Sequence, residues 1–194
     1  MKIILASKSG VRKQILDKYN IDNEVIVSNV DEDEVKESLL AEGADPLSIS
    51  KNLAEIKSIK VSNKNPNRYV LGADSVISFN KELINKPNSR EEAFTILKKL
   101  NNSKHFLISS VCIAKNGAMV WNHSDSSELK MRNLNDDEIS SYLSKIKTKT
   151  LTDYGVYQIE AEGLELFEYI KGDKDSIMGL PIKEIINYIK QLKK

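Results

Sequence analysis

The residue with the most to say about chemistry is an acid inside an apolar run. Asp74 follows Tyr69-Val70-Leu71-Gly72-Ala73 and precedes Ser75-Val76-Ile77, which puts it within or at the end of a buried strand. An ionised carboxylate in such a setting needs a cation, hydrogen bonds or a raised pKa. Two readings follow: an aspartate capping a turn beside Gly72, or a general base or metal ligand. Gly72 serves the second, because a missing side chain lets a ligand or another backbone come close.

A second reactive group lies near the amino end. Ser7-Lys8-Ser9-Gly10-Val11-Arg12-Lys13 combines hydroxyls, a glycine and the cations Lys8, Arg12 and Lys13. Arg12 is suited to a bidentate grip on phosphate and Lys13 to acting as a point charge. The Gly-x4-Gly-Lys-Ser/Thr spacing of the P-loop is absent. Taken singly, Lys57 (one residue past Ile56), Lys86 (before Pro87) and Glu32 (in Val30-Asp31-Glu32) read as solvated surface charges. Glu160 and Asp173 bracket an apolar run without a local requirement for a cation. His105 reads as a structural hydrogen-bonding group, and Cys112, in Ser110-Val111-Cys112-Ile113-Ala114, as a packing thiol.

The elements that must hold these groups can be read from periodicity. Lys2–Ala6 is a short buried strand stopped by Ser7-Lys8-Ser9-Gly10, and Val11, Ile15, Leu16 and Tyr19 then recur at helical spacing. Strand, polar turn and helix together aim backbone N–H groups at an anion. Glu24–Ser28 reads as a second strand, followed by the acidic segment Asp31–Glu37. Pro46 opens a helix whose apolar face is expected to be Ile49, Leu53, Ile56 and Ile59. Asn63–Asn67 is a loop and Tyr69–Phe79 the strongest strand. Ser89, with Glu92 three residues on, caps a helix over Arg90–Leu100.

Asn116-Gly117 joins the extended runs Phe106–Lys115 and Met119–Arg132 as a hairpin. Asp136–Lys145 is expected to be helical, Lys145–Lys149 solvated surface and Leu164–Ile170 a strand. A final helix after Pro181 buries Ile182, Ile185, Ile186, Ile189 and Leu192. Helices interleaved with strands, plus one hairpin, predict a mixed twisted sheet with helices on its faces.

Composition excludes several classes. With 194 residues, 40% hydrophobic and 29% charged, the chain can bury a sizeable core and is not a disordered or fibrous polymer. A formal net charge of +1 argues against a protein that coats DNA or RNA. One cysteine excludes a disulfide framework, and two histidines are too few for a His-rich metal centre. No apolar stretch approaches the ~18 residues that cross a bilayer, and no leader is evident. A reducing, cytoplasmic location is therefore expected, with no membrane partner.

Read in order, these segments resemble the Maf family of nucleoside triphosphate pyrophosphatases. The likeness is carried by Leu5-Ala6-Ser7-Lys8-Ser9-Gly10-Val11-Arg12-Lys13, Val30-Asp31-Glu32, Leu53-Ala54-Glu55-Ile56-Lys57, Gly72-Ala73-Asp74, Lys86-Pro87, Ser103-Lys104-His105 and Gly179-Leu180-Pro181. The resemblance implies one α/β domain over residues 1–194. Its mixed sheet would be elongated, with two lobes sharing one cleft.

The implied reaction is hydrolysis of the α–β phosphoanhydride bond, giving a nucleoside monophosphate and pyrophosphate, with a divalent cation (magnesium or manganese). By the same resemblance Asp74 would activate water and Glu32 would assist, both serving as metal ligands. Ser7, Arg12, Lys13, Lys57 and Lys86 would bind phosphates. Members often form homodimers, on which the sequence itself is silent. The alternative is a non-catalytic nucleotide-binding regulator linked to cell division.

Three positions bear on the base. Val11 stands where the branch acting on dTTP and UTP has arginine and the 7-methyl-GTP branch an aromatic. Glu160 matches the glutamate of the 7-methyl-GTP branch. Ser75 is nearer the threonine of the pyrimidine branch. Two of the three lean toward the modified purine. The proline usual at Gly10 is missing, which loosens the turn.

Overall fold

The computed structural model describes residues 1–159 and 161–192. The chain runs β1 (Ile3–Leu5), α1 (Gly10–Lys18), β2 (Asn23–Val25), α2 (Glu32–Ala41), α3 (Pro46–Ser62), β3 (Val70–Phe79), β4 (Glu82–Ile84) and α4 (Arg90–Leu100). It continues through β5 (Lys104–Lys115), β6 (Ala118–Met131), α5 (Asp136–Ser144), α6 (Thr148–Tyr154), a 3₁₀ turn at Glu162–Leu166, β7 (Phe167–Lys171), α7 (Lys174–Ile177) and α8 (Ile182–Gln191). Glu160, one of the expected specificity positions, lies outside the described residues.

Among the described residues, seven strands form one mixed sheet in the order β2-β1-β3-β5-β6-β7, with β4 paired to β3. β1 runs parallel to β2 and β3, whereas β5, β6 and β7 continue antiparallel. The mixed sheet flanked by helices is the expected fold class. Asn116 and Gly117 both take positive φ, 52° and 77°, as a type I′ hairpin turn requires.

β3 is the seam of the sheet. One edge pairs with β5 from Val70 to Ser78. The other edge pairs with β1 only at Val70 and Leu71, and with β4 only at Ile77–Phe79. Between those contacts, Gly72–Val76 has no strand on that side among the described residues. Asp74 sits in the middle of this gap.

Strand alternation decides what each face meets. Leu71 and Ala73 turn toward a cluster with Ile3, Leu5, Ile15, Leu16, Leu180, Ile182 and Ile185, built from β1, α1 and α8. A second cluster gathers Leu97, Leu100, Leu129, Met131, Ile139, Leu143, Leu151 and Phe167 around α4, α5 and α6. A third, Ile4, Ala6, Val61 and Val70, lies under α3. Five of the helices start where a side chain accepts a backbone N–H bond: Ser9, Asp31, Asp45, Ser89 and Asn135 cap α1, α2, α3, α4 and α5.

Three expectations need correction. The buried face of α3 is Ile49, Ser50, Leu53, Ala54, Lys57, Ser58, Val61 and Ser62, while Ile56 is exposed. Where the helix comes closest to β3, at Gly72, the contact is made by the small residues Ala54 and Ser58. Leu164 is exposed in the 3₁₀ turn, and the strand expected from it starts only at Phe167. Lys145–Lys149 is exposed as expected, apart from the half-buried Ile146, and Lys147 stands as the N-cap of α6. The acidic segment after Asp31 forms α2, its carboxylates meeting the positive helix end. Glu92 also accepts from the Asn88 N–H at 2.8 Å, one residue before the N-cap it was expected to serve.

Candidate active site

The close approach of α3 to β3 starts from Gly72. A Cβ at this position would lie 2.1 Å from the Ala54 carbonyl oxygen and 2.8 Å from the Ser58 nitrogen. Only glycine therefore allows this packing. The close approach that Gly72 permits is that of a helix backbone. It brings Lys57, on the turn between Ala54 and Ser58, over the gap in β3.

Lys57 is the hinge of the site's electrostatics. Its Nζ lies 2.8 Å from Asp74 Oδ1 and 2.8 Å from Glu32 Oε1. Lys57 and Asp74 are each 5% exposed. A buried ion pair of this kind has meaning only with both partners present, since removing one leaves an uncompensated charge. Asp74 Oδ2 is buried without a hydrogen-bond partner. Such an orphaned oxygen is costly, so it marks a place where a proton, cation or water is wanted.

Glu32 opens α2 and is half-buried. Desolvation raises its carboxyl pKa, but the charge and hydrogen bond of Lys57, with Lys86 and Lys36, outweigh this and hold it below its ordinary value.

Arg12 binds three segments together. Its Nε donates to the Gly179 carbonyl at 3.0 Å, and Nη1 donates to Ser7 Oγ at 3.2 Å and the Ala73 carbonyl at 2.9 Å. Nη2 donates to Ser75 Oγ at 3.1 Å. A guanidinium has five N–H donors. Four are committed here, leaving one on Nη2. The bidentate phosphate grip expected for Arg12 is not available in this arrangement without breaking these bonds. Burial lowers the Arg12 pKa, against the opposing pull of Asp74 and Glu32.

Ser7 is buried, and its Oγ also accepts from the Ser9 N–H. Ser75 Oγ is shared between Arg12 and Ser109 Oγ, 2.9 Å away. Lys13 is not brought to the cleft; it is exposed and pairs with Asp17. Lys86 stands at the rim and donates to the Asp153 carbonyl at 2.9 Å. Its side chain is exposed overall, yet desolvation at the cleft lowers its pKa, opposed by Glu32.

These groups line a cleft of about 330 Å³ that also includes Val11, Ile77, Leu107, Val156, Tyr157 and Met178. Its described charged lining is Lys8, Arg12, Lys36, Lys57 and Lys86 against Glu32, Asp74 and Asp153, a net +2. A positively biased cleft with apolar walls focuses potential on an anion. Lys36 had no place in the sequence reading. It stands four residues after Glu32, and once the acidic segment is known to be helical this spacing puts both on one face.

Other titratable groups are occupied elsewhere. His105 is wholly buried with Nε2 2.8 Å from the Tyr157 hydroxyl, and desolvation takes its pKa down to about 4. Burial pushes the Cys112 thiol up to about 11, despite the Ser58 hydroxyl 3.1 Å from its sulfur. A thiol so protonated is no nucleophile. Asp173 caps α7 and pairs with Lys183. Among the described residues no group of three or more His, Cys, Asp or Glu is placed to hold a metal. No described helix is long and apolar enough to cross a membrane.

Comparison with known proteins places the chain in a family. A family model described as Maf-like protein matches residues 2–192. A nucleoside triphosphate pyrophosphatase of Pelagibacter ubique is 56% identical over 192 residues, covering 99% of this chain and 98% of its own. A protein of the same description from Ruegeria pomeroyi is 39% identical, covering 96% of this chain and 94% of its own. A 7-methyl-GTP pyrophosphatase of Brucella abortus is 35% identical, covering 100% and 97%.

Proposed function

The chain belongs to the Maf-like protein family, and from that premise we propose that it is a nucleoside triphosphate pyrophosphatase that cleaves the α–β phosphoanhydride bond in the cleft around Asp74. The observation that carries the reading is the Lys57 ammonium held between Glu32 and Asp74, with Asp74 Oδ2 buried and unpartnered beside it.

In this mechanism the Asp74 carboxylate takes a proton from water. The water oxygen bonds to the α-phosphorus, the bond to the bridging oxygen breaks, and pyrophosphate leaves with the electron pair. Lys57 orients the Asp74 carboxylate through their 2.8 Å contact, and it offsets charge that develops on the phosphates. Lys86 exchanges the Asp153 carbonyl for a phosphate oxygen. Arg12 acts mainly by fixing Ser7, Ala73 and Ser75 around the site, with its one free N–H directed to substrate. Ser7 contributes from the same turn.

A divalent cation fits the donor set. Magnesium and manganese prefer oxygen ligands, and magnesium sites commonly use one or two carboxylates plus substrate phosphates. Asp74 Oδ2 and Glu32 are the residues that would hold it, and the cation would supply charge neutralisation for the phosphates. The orphaned oxygen of Asp74 supports this assignment. The cleft stands between the α1/α8 cluster and the α4–α6 cluster, which supports a two-lobed organisation of one domain.

For the base, we favour 7-methylguanine over thymine or uracil. Val11 lines the cleft without charge and so sets no repulsion against a cationic base. Ser75, bound by Arg12 and Ser109, has little freedom to read a pyrimidine. The test is initial-rate pyrophosphate release from 7-methyl-GTP, dTTP, UTP and CTP with magnesium or manganese. A preference for 7-methyl-GTP is expected; faster turnover of dTTP or UTP overturns the base assignment, and no release from any overturns the enzyme.

A further inference from the structure

Lys36 projects from α2 one turn beyond Glu32, about 6 Å along the helix axis, and lines the same cleft. Its side chain is only 13% exposed, although α2 buries no residue fully. Its ion-pair partner is Asp33 Oδ1 at 3.6 Å, on a side chain 91% exposed. So long and solvated a pair contributes little. The ammonium is therefore kept in the cleft wall without a strong anion to hold it there. Its charge opposes that of Lys86 and reaches Glu32, whose carboxylate is already held by Lys57.

A mostly covered lysine beside Lys86, with only a long pair to Asp33, is placed to receive an anion in the cleft. Glu32 and Asp74 are already joined to Lys57, so they do not supply it. Attack at the α-phosphorus beside Asp74 leaves the remaining phosphates to be held farther along the cleft. Lys36 is a cation displaced from the Glu32–Lys57–Asp74 group by one helical turn, with a long stem to reach outward.

We propose that Lys36 is a further substrate-binding residue, which grips the terminal phosphates and makes the cleft select a triphosphate tail over a shorter one. This rests on the reading that the cleft takes a nucleoside triphosphate. Lys36 holds the pyrophosphate portion in ground state and transition state alike, so its loss raises KM much more than it lowers kcat.

The experiment compares wild type, Lys36→Met and Lys36→Arg. Calorimetry gives Kd for inorganic tripolyphosphate and for orthophosphate, and steady-state pyrophosphate release gives KM and kcat. A charge-assisted hydrogen bond is worth about tenfold or more in affinity. Lys36→Met is expected to raise the tripolyphosphate Kd and the triphosphate KM by at least about tenfold, with orthophosphate affinity little changed. Lys36→Arg restores most of the loss. An unchanged unfolding midpoint shows that the variants are folded. Unaltered KM and tripolyphosphate affinity in Lys36→Met, with an active wild type, overturns the assignment. A wild type that releases no pyrophosphate removes the enzymatic reading instead, and tripolyphosphate binding still decides the role of Lys36.

Discussion

Gly72→Ala adds one methyl group to a residue that takes no part in proton transfer, yet it should disable the site. The new Cβ would meet the Ala54 oxygen at 2.1 Å, the Ser58 nitrogen at 2.8 Å and Ser58 Cβ at 3.0 Å. Two of these are backbone atoms of α3, which cannot swing aside as a flexible side chain would. The helix must withdraw from β3 by roughly 1 Å, an overpacking strain of about 1–3 kcal/mol.

Lys57 withdraws with the helix, stretching two contacts that each measure 2.8 Å. At an effective dielectric of about 20, lengthening such a contact by ~1 Å forfeits roughly 1–2 kcal/mol of attraction. Strain and the attraction lost at both contacts together predict a destabilisation of about 3–7 kcal/mol, or a fall in Tm of roughly 6–28 °C for a chain of this size. A ~1 Å misplacement of a catalytic group costs about a hundredfold in rate. The assay is urea and thermal unfolding alongside pyrophosphate release.

Gly10→Ala is the control. A Cβ at Gly10 meets nothing within 4 Å and its φ is not positive, so stability should hold or rise slightly. If Gly72→Ala unfolds within about 0.5 kcal/mol of wild type, the ordinary scatter of a neutral surface change, and turns over normally, the packing argument is refuted.

Two further outcomes are expected. Lys57→Met should cost about 3–5 kcal/mol, the usual loss on removing one member of a buried pair, and abolish turnover. It should also remove a pH effect. Glu32 titrates below its ordinary 4.5, so its stabilisation is fully present above that pH and is lost as pH falls through the folded value; denaturant titrations from pH 7 to 3 should show this component weakened in the variant. His105 behaves oppositely in kind, being a base kept neutral: from 6.5 to about 4, the unfolded chain takes up a proton that the native chain refuses. Stability is unaffected above pH 6.5 and falls by about 3 kcal/mol on acidification to pH 4, since each unit is worth 1.36 kcal/mol. His105→Gln should lose that slope, and equal slopes in both proteins would contradict the assignment.

What the sequence made legible was the part governed by local pattern. Asp74 in its apolar strand, the Asn116-Gly117 hairpin, the Ser89 cap and the α8 stripe all follow from periodicity or turn chemistry. The face of α3 did not. Ile49, Leu53, Ile56 and Ile59 match a helical stripe, but tertiary packing turned the helix until Ala54, Lys57 and Ser58 met Gly72. That rotation is what makes Lys57 a site residue rather than a surface charge, and it depends on a glycine on another element. Likewise Arg12 was recognisable as an anion-binding type. Its commitment to Gly179, 167 residues away, and to Ala73 is set by the fold and has no local signal. Lys36 was hidden because a run of acids reads as solvated surface until it is known to be helical.

The account stands on Asp74 as the group that activates water. The most direct measurement is single-turnover pyrophosphate formation by wild type and Asp74→Asn, with nucleotide affinity measured on the same samples. Asparagine keeps the shape and removes the proton acceptor. The account predicts a loss of at least about a hundredfold, the lower range for removing general-base catalysis, with nucleotide still bound. Turnover of Asp74→Asn near that of wild type would contradict it.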